Sequence, residues 1–174
     1  GPADDPLNNA VRLTSSPATD HSPSWAPGGR QIVFISNGDV ILADLDRTDS
    51  GRFKNLSGTD LASESHPLWS PDGRRIVWAS ASQSTGQSGV YIWDATRNVP
   101  AIWVGDGDYP AWNTLGDQII TTISTPNATY ITTYSIDGEL LQPLTPFPAK
   151  LNGVTWANIV MSDPLLGDFR QAAE

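Results

Sequence analysis

A tryptophan recurs through this chain at Trp25, Trp69, Trp112 and Trp156, at intervals of 44, 43 and 44 residues. The register around it is kept in the first three copies. Proline stands two positions before (Pro23, Pro67, Pro110), glycine four after (Gly29, Gly73, Gly116) and isoleucine seven after (Ile32, Ile76, Ile119). A fixed period of this length describes a chain of stacked supersecondary units, none of which can bury its apolar surface alone.

The clearest unit contains "HPLWSPDGRRIVWAS", residues 66–80. Pro71 presets φ for a turn corner, Asp72 can bond its own backbone, and Gly73 accepts positive φ, so Pro-Asp-Gly reads as a hairpin turn between two strands. Along the outgoing strand Ile76 and Trp78 share one face, and Val77 and Ala79 share the other. Both faces are apolar, which predicts a strand sandwiched between layers. Each period holds four strand candidates, in this copy residues 66–70, 75–81, 90–95 and 101–104. Four antiparallel strands in roughly 40–45 residues make a propeller blade, covered on both faces by its neighbours. The expected fold class is therefore all-β: a β-propeller of three four-stranded antiparallel blades plus a partial fourth repeat, an incomplete or half propeller. A further outer strand is expected at "NNAVRLT", residues 8–14.

The string Pro-x-Trp-Ser-Pro-Asp-Gly-x-x-Ile, followed by an apolar strand and then "IWDA" or "ILADLD", resembles the WD40-like (PD40) repeat of TolB-like β-propellers over about residues 10–157. The third copy departs from the pattern, with Asn113-Thr114-Leu115-Gly116 in place of Ser-Pro-Asp-Gly, and the fourth keeps only the Trp strand "GVTWANIVMS". The resemblance implies a non-enzymatic bacterial module, periplasmic or extracellular, that binds a protein or a cell-envelope component.

The domain reading follows from the repeats. Gly1-Pro2 reads as the remnant of a cleaved tag. Residues 3–157 form the blades, with repeats at about 15–57, 58–104 and 105–145 and a partial one at 146–157. Residues 158–174 form a tail, linker or cap with weak helical character. A formal charge of −9 argues against a nucleic-acid partner, whose phosphates demand a basic face. No apolar run approaches a membrane span, and the absence of Cys excludes disulfides and thiolate metal sites.

The chemical candidates cluster where one blade passes to the next. His21 and His66 stand just before Trp strands beside Asp20 and Glu64, and Asp106, Asp108 and Tyr109 take the matching place in the third copy, with Asn152 in the fourth. Such segments lie at the channel mouth of a propeller, so these groups could converge on a polar ligand. The alternative is that they cap strand ends and face water. The binding face would be made of loops at residues 14–22, 36–39, 57–66, 81–89, 104–109, 124–129 and 145–153. Neither a metal site nor a cofactor is expected: Asp44, Asp46 and Asp49 lack the glycine and distal glutamate of a calcium loop. Of the seven Trp residues, the four anchors and Trp78 read as core, whereas Trp93 and Trp103 fall on outer strands where a ring can be exposed.

No Gly-x-Ser-x-Gly elbow, His-Glu-x-x-His or phosphate-binding Gly-Lys-Ser/Thr loop is present, so no catalytic residue is expected. Two functional classes remain. The chain is a binding or scaffold propeller acting through its loop face, or it is the regulatory, substrate-gating propeller of a larger peptidase or other hydrolase. Three blades cannot close a ring, so the open faces are expected to be covered by a second copy in a homodimer, by other domains of the same protein, or by the tail.

Overall fold

A computed structural model of the chain describes residues 11–15, 17–58, 61–97, 99–147, 151 and 154–155. Trp156, Asn152 and the tail 158–174 lie outside the described residues. Among those described, the chain forms three antiparallel sheets of four strands. The first holds β1 (Asp20–Trp25), β2 (Gln31–Ser36), β3 (Asp39–Asp44) and β4 (Phe53–Asn55), with a short 3-10 turn at Ser50–Arg52 before the last strand. The second holds β5 (Ala62–Trp69), β6 (Arg75–Ser82), β7 (Ser88–Asp94) and β8 (Ile102–Asp106). The third holds β9 (Asp108–Trp112), β10 (Gln118–Ser124), β11 (Thr129–Ser135) and β12 (Leu140–Phe147). Each sheet is an up-and-down meander in chain order, so the three sheets are three β-propeller blades.

The turn that opens each repeat forms as its residues dictate. Ser70 and Asp72 close it: Gly73 N–H donates to the Ser70 carbonyl at 2.9 Å, Arg75 N–H to Ser70 Oγ at 2.9 Å, and Arg74 N–H to Asp72 Oδ1 at 3.0 Å. Gly73 has φ +70°, and its counterparts Gly29 and Gly116 have +67° and +74°. The divergent third copy keeps the same turn by another route. Asn113 sits where Ser70 does, and its Oδ1 accepts from Gln118 N–H at 3.2 Å, the bond that Ser70 Oγ takes from Arg75.

Core packing follows from the two apolar faces of β6. Ile76 and Trp78 join Val33, Ile35, Val40 and Leu42 of the first blade in one cluster. Val77, with Val90, Ile92 and Val104, meets Trp112 and Ile119 of the third blade in another. Trp69 and Trp112 pack toward the preceding blade and are buried, and the Trp112 indole N–H donates to the Leu68 carbonyl at 3.2 Å. Trp25, expected in the core, is 58% exposed, because no blade precedes its own among the described residues. Trp93 is buried and Trp103 is exposed.

The expected strand at residues 8–14 is not seen over its described part: residues 11–14 are irregular. Leu13 and Thr14 instead lie against the outer face of the first blade, where they line a shallow depression with Pro23, Ile32 and Phe34. Ile119, the isoleucine of the third repeat, is fully buried between the second and third blades.

Candidate functional site

In a four-strand meander, the first strand begins at the same end at which the second strand turns into the third and the fourth strand ends. That end carries the segments at residues 36–39, 81–89, 104–109 and 124–129, and it is called here the loop end.

The candidate residues of this end lie on strands. Asp20 and His21 open β1, Glu64 and His66 are within β5, Asp106 ends β8, and Asp108 and Tyr109 open β9. Carrying the 44- and 43-residue period through them aligns Asp20 with Glu64 and Gly107, His21 with Ser65 and Asp108, and Ser22 with His66 and Tyr109.

The third set shares a backbone conformation. Ser22, His66 and Tyr109 have φ of +53°, +53° and +52°, in a region that non-glycine residues seldom occupy. Each lies where the pairing of the inner strand slips: between His21 and Ser24, between Ser65 and Leu68, and opposite Ile120 to Thr122. A bulge re-aims a side chain and bends its strand, and a left-handed non-glycine residue costs about 1–3 kcal/mol, so the repeated bulge is a local strain that the packing sustains. Thr121 Oγ1 and Thr122 Oγ1 pin the third bulge by donating to the Asp108 carbonyl at 2.6 and 3.2 Å.

The bulges bring residues of adjacent blades together. The His66 and Tyr109 rings lie 4.2 Å apart at 42°, and His66 Nδ1 stands 3.4 Å from Asp108 Oδ1. Asp108 Oδ1 also accepts from Tyr109 N–H at 2.8 Å. His66, Asp108 and Tyr109 thus form one half-buried cluster with an aromatic face, a carboxylate and an imidazole. Behind it, Asp106, Asp108, Ser88 and Thr122 line a cleft of about 470 Å³ between the second and third blades.

Asp20 and Glu64 share a different role. Asp20 is held below the usual carboxylate range by hydroxyl donors, Ser36 first and Thr14 second. Glu64, its counterpart, accepts from Ser80 Oγ at 3.1 Å, and Ser80 is the counterpart of Ser36. Glu64 is only 3% exposed, and its N–H donates to the Gly38 carbonyl of the first blade at 2.9 Å. It braces two blades, which neither the ligand reading nor the water-facing reading anticipated. His21 is exposed, with Nδ1 3.0 Å from Ser22 Oγ. Asp106 is exposed at the cleft rim, and its carbonyl accepts from the Tyr134 hydroxyl at 3.1 Å. The structure therefore unites His66, Asp108 and Tyr109, with Asp106 beside them, and leaves Asp20 and His21 at the outer blade. Among the described residues, no three His, Cys, Asp or Glu side chains converge as a metal site would require.

Sequence reasoning missed Ser22 as a member of the bulge series and Trp103 as part of a second cleft at the same end. Only the exact alignment of the repeats could have pointed to Ser22.

No protein-family model and no curated protein matches the chain. Solved structures do match. A protein described as TolB from Agrobacterium tumefaciens shares 19% identity at a TM-score of 0.54, over 75% of this chain and 49% of that one. The β-propeller domain of the Trilobed protease from Pyrococcus furiosus shares 15% at 0.59, over 75% of this chain and 43% of that one. The acylaminoacyl peptidase of Pyrococcus horikoshii shares 13% at 0.56, over 75% and 25%. The chain spans about half the length, or less, of these structures. At such identities the likeness establishes the fold: this chain has the β-propeller blade architecture seen in TolB and in peptidase propeller domains.

Proposed function

We propose that the chain is a non-catalytic binding module that presents its loop end to a protein or cell-envelope ligand in a periplasmic or extracellular setting. The observation that carries this reading is the bulge repeated at Ser22, His66 and Tyr109, which turns successive inner-strand side chains toward one end at a cost in strain. His66, Asp108 and Tyr109 offer an aromatic surface and a carboxylate, the chemistry of a polar recognition spot. The likeness to TolB agrees with this reading.

The test compares the wild-type chain with the His66→Ala/Asp108→Asn variant, each immobilised and exposed to solubilised bacterial envelope extract. Retained species are identified and then titrated in purified form. The expected result is a saturable ligand whose affinity falls by about tenfold or more in the variant while its melting temperature is unchanged. Equal retention by both proteins overturns the reading.

The likeness to peptidase propellers favours a second reading, a substrate-gating propeller within a larger hydrolase. A hydrolase nucleophile motif encoded in the reading frame after Glu174 selects it. On either reading the outer face of the first blade, with Trp25 and Ile32, needs a cover, and a second copy of the chain completing the ring supplies one.

A further inference from the structure

A second cleft at the loop end, of about 340 Å³, opens on the face of the second blade that looks toward the first. Its origin is a difference in hairpin length. The first blade turns from β2 to β3 through Asn37 and Gly38 alone, whereas β6 runs to Ser82, two positions past the counterpart of Ser36, and connects to β7 through residues 83–87. Gly38 packs against Glu64 and covers the face only to that level. Beyond it, the second blade projects as a shelf, and among the described residues the cleft is lined by that blade alone.

The shelf carries two aromatic side chains on adjacent strands, Tyr91 and Trp103, paired in register. The Tyr91 ring stacks on the buried Trp78, at 6.3 Å and 14°. The Trp103 indole rests on Gly89, so closely that a Cβ there would stand 2.7 Å from Nε1 and 2.9 Å from Cδ1. With glycine beneath it, Trp103 is nonetheless 55% exposed. This exposure is unlike that of Trp25. Among the described residues the second blade has a neighbour on each face, so the exposure of Trp103 does not come from a blade missing at either end of the series.

Leu61 and Ala62 add an apolar margin, and most of the remaining lining is polar. Ser80, Ser82 and Thr85 supply hydroxyls, Gln87 a side-chain amide and Asp106 a carboxylate, with no Lys or Arg among the lining residues. A bare indole face bounded by hydroxyl, amide and carboxylate groups suits a ligand with an apolar C–H face and a rim of hydroxyls. The polarised C–H groups of a pyranose ring lie against the negative face of the indole, and its hydroxyls bond the rim. The missing cation and the net charge of −9 disfavour uronate or phosphate-bearing glycans. From this geometry we infer that the shelf is a saccharide subsite for a neutral oligosaccharide, with Trp103 as platform and Asp106 as hydroxyl acceptor. The inference rests on the binding-module reading and gives that module a glycan ligand beside the His66 cluster.

The experiment follows the indole N–H resonances of the 15N-labelled chain. The Trp103 signal is assigned by its loss in Trp103→Phe. Cellotetraose, maltotetraose and triacetylchitotriose are the neutral probes, trigalacturonate the anionic one, and a proline-rich peptide the competing class. The expected result is a saturable shift of the Trp103 signal with at least one neutral probe. By saturation-transfer titration, that affinity falls by roughly tenfold in Trp103→Ala and is kept within about threefold in Trp103→Phe. Leu115→Ala, in the exposed turn between β9 and β10 at the opposite end of the third blade, leaves it unchanged. The inference is overturned if no neutral probe shifts Trp103 at about 10 mM, an affinity limit near the weakest specific binding. Binding that survives Trp103→Ala, or a Trp103 signal moved only by the uronate or the peptide, overturns it equally. Loss of ligand retention in the His66 and Asp108 variant without any saccharide binding fells this inference and leaves the binding-module reading standing.

Discussion

Gly105→Ala tests whether the second and third blades meet as tightly as described. Gly105 is buried in β8, and a Cβ at that position would stand 2.3 Å from Tyr134 Cζ and 2.4 and 2.7 Å from the two Cε atoms. Carbon atoms rest at about 3.5–4.0 Å, so the ring must retreat by more than about 1 Å. Retreat is obstructed because Tyr134 is 8% exposed and its hydroxyl donates to the Asp106 carbonyl. Overpacking costs about 1–3 kcal/mol and the lost hydrogen bond about 1, giving about 2–4 kcal/mol in all. Urea unfolding followed by tryptophan fluorescence measures this, and the midpoint temperature should fall by roughly 2–4 °C per kcal/mol. The same substitution in a Tyr134→Leu background, where the outer ring atoms are gone, should cost less than about 1 kcal/mol. Equal costs in the two backgrounds would refute the assignment of the penalty to this contact.

At Gly73, φ +70° predicts that Gly73→Val destabilises by about 1–3 kcal/mol, whereas Gly28→Ala, with open space around it and no positive φ, leaves the melting temperature unchanged. Asp20 and Asp94 are both held below the ordinary value of 3.8, by the Ser36 and Thr96 hydroxyls respectively, so the stability they contribute is complete above about pH 5. It is lost as pH falls through their folded-state values, and Asp94→Asn should flatten the acid limb of a melting-temperature profile. Closure of the ring by a second copy predicts a light-scattering mass of twice the 18.7 kDa chain at about 100 µM, with six blades in the pair. A mass of one chain there would rule this closure out and point to the tail at residues 158–174 as the cap.

The repeat was legible because its marks are local: a turn glycine, a strand with two apolar faces and a tryptophan at fixed offset. Burial across blades was not, since it depends on what stands next door. Glu64 and Asp20 occupy the same place in the repeat, yet only Glu64 is covered, by the Gly38 turn of another blade. Trp25 and Trp69 carry the same signal and differ in exposure for the same reason. The left-handed conformation of His66 and Tyr109 left no mark either, because neither residue type announces positive φ as glycine does. The Trp103 shelf required comparing two hairpins and knowing which blade faces which.

Among the described residues, every strand pairs only with its neighbour in sequence, and none crosses from one blade to complete another. Such pairings close short loops and so need little chain entropy before they are rewarded. The first blade can form while later ones are still being synthesised, and each new blade then docks on a finished surface. Unfolding should run in the opposite sense, peeling from an outer blade. Amide exchange would then grade from fast in β1 and β12 to slow in β6, whose two faces are both covered.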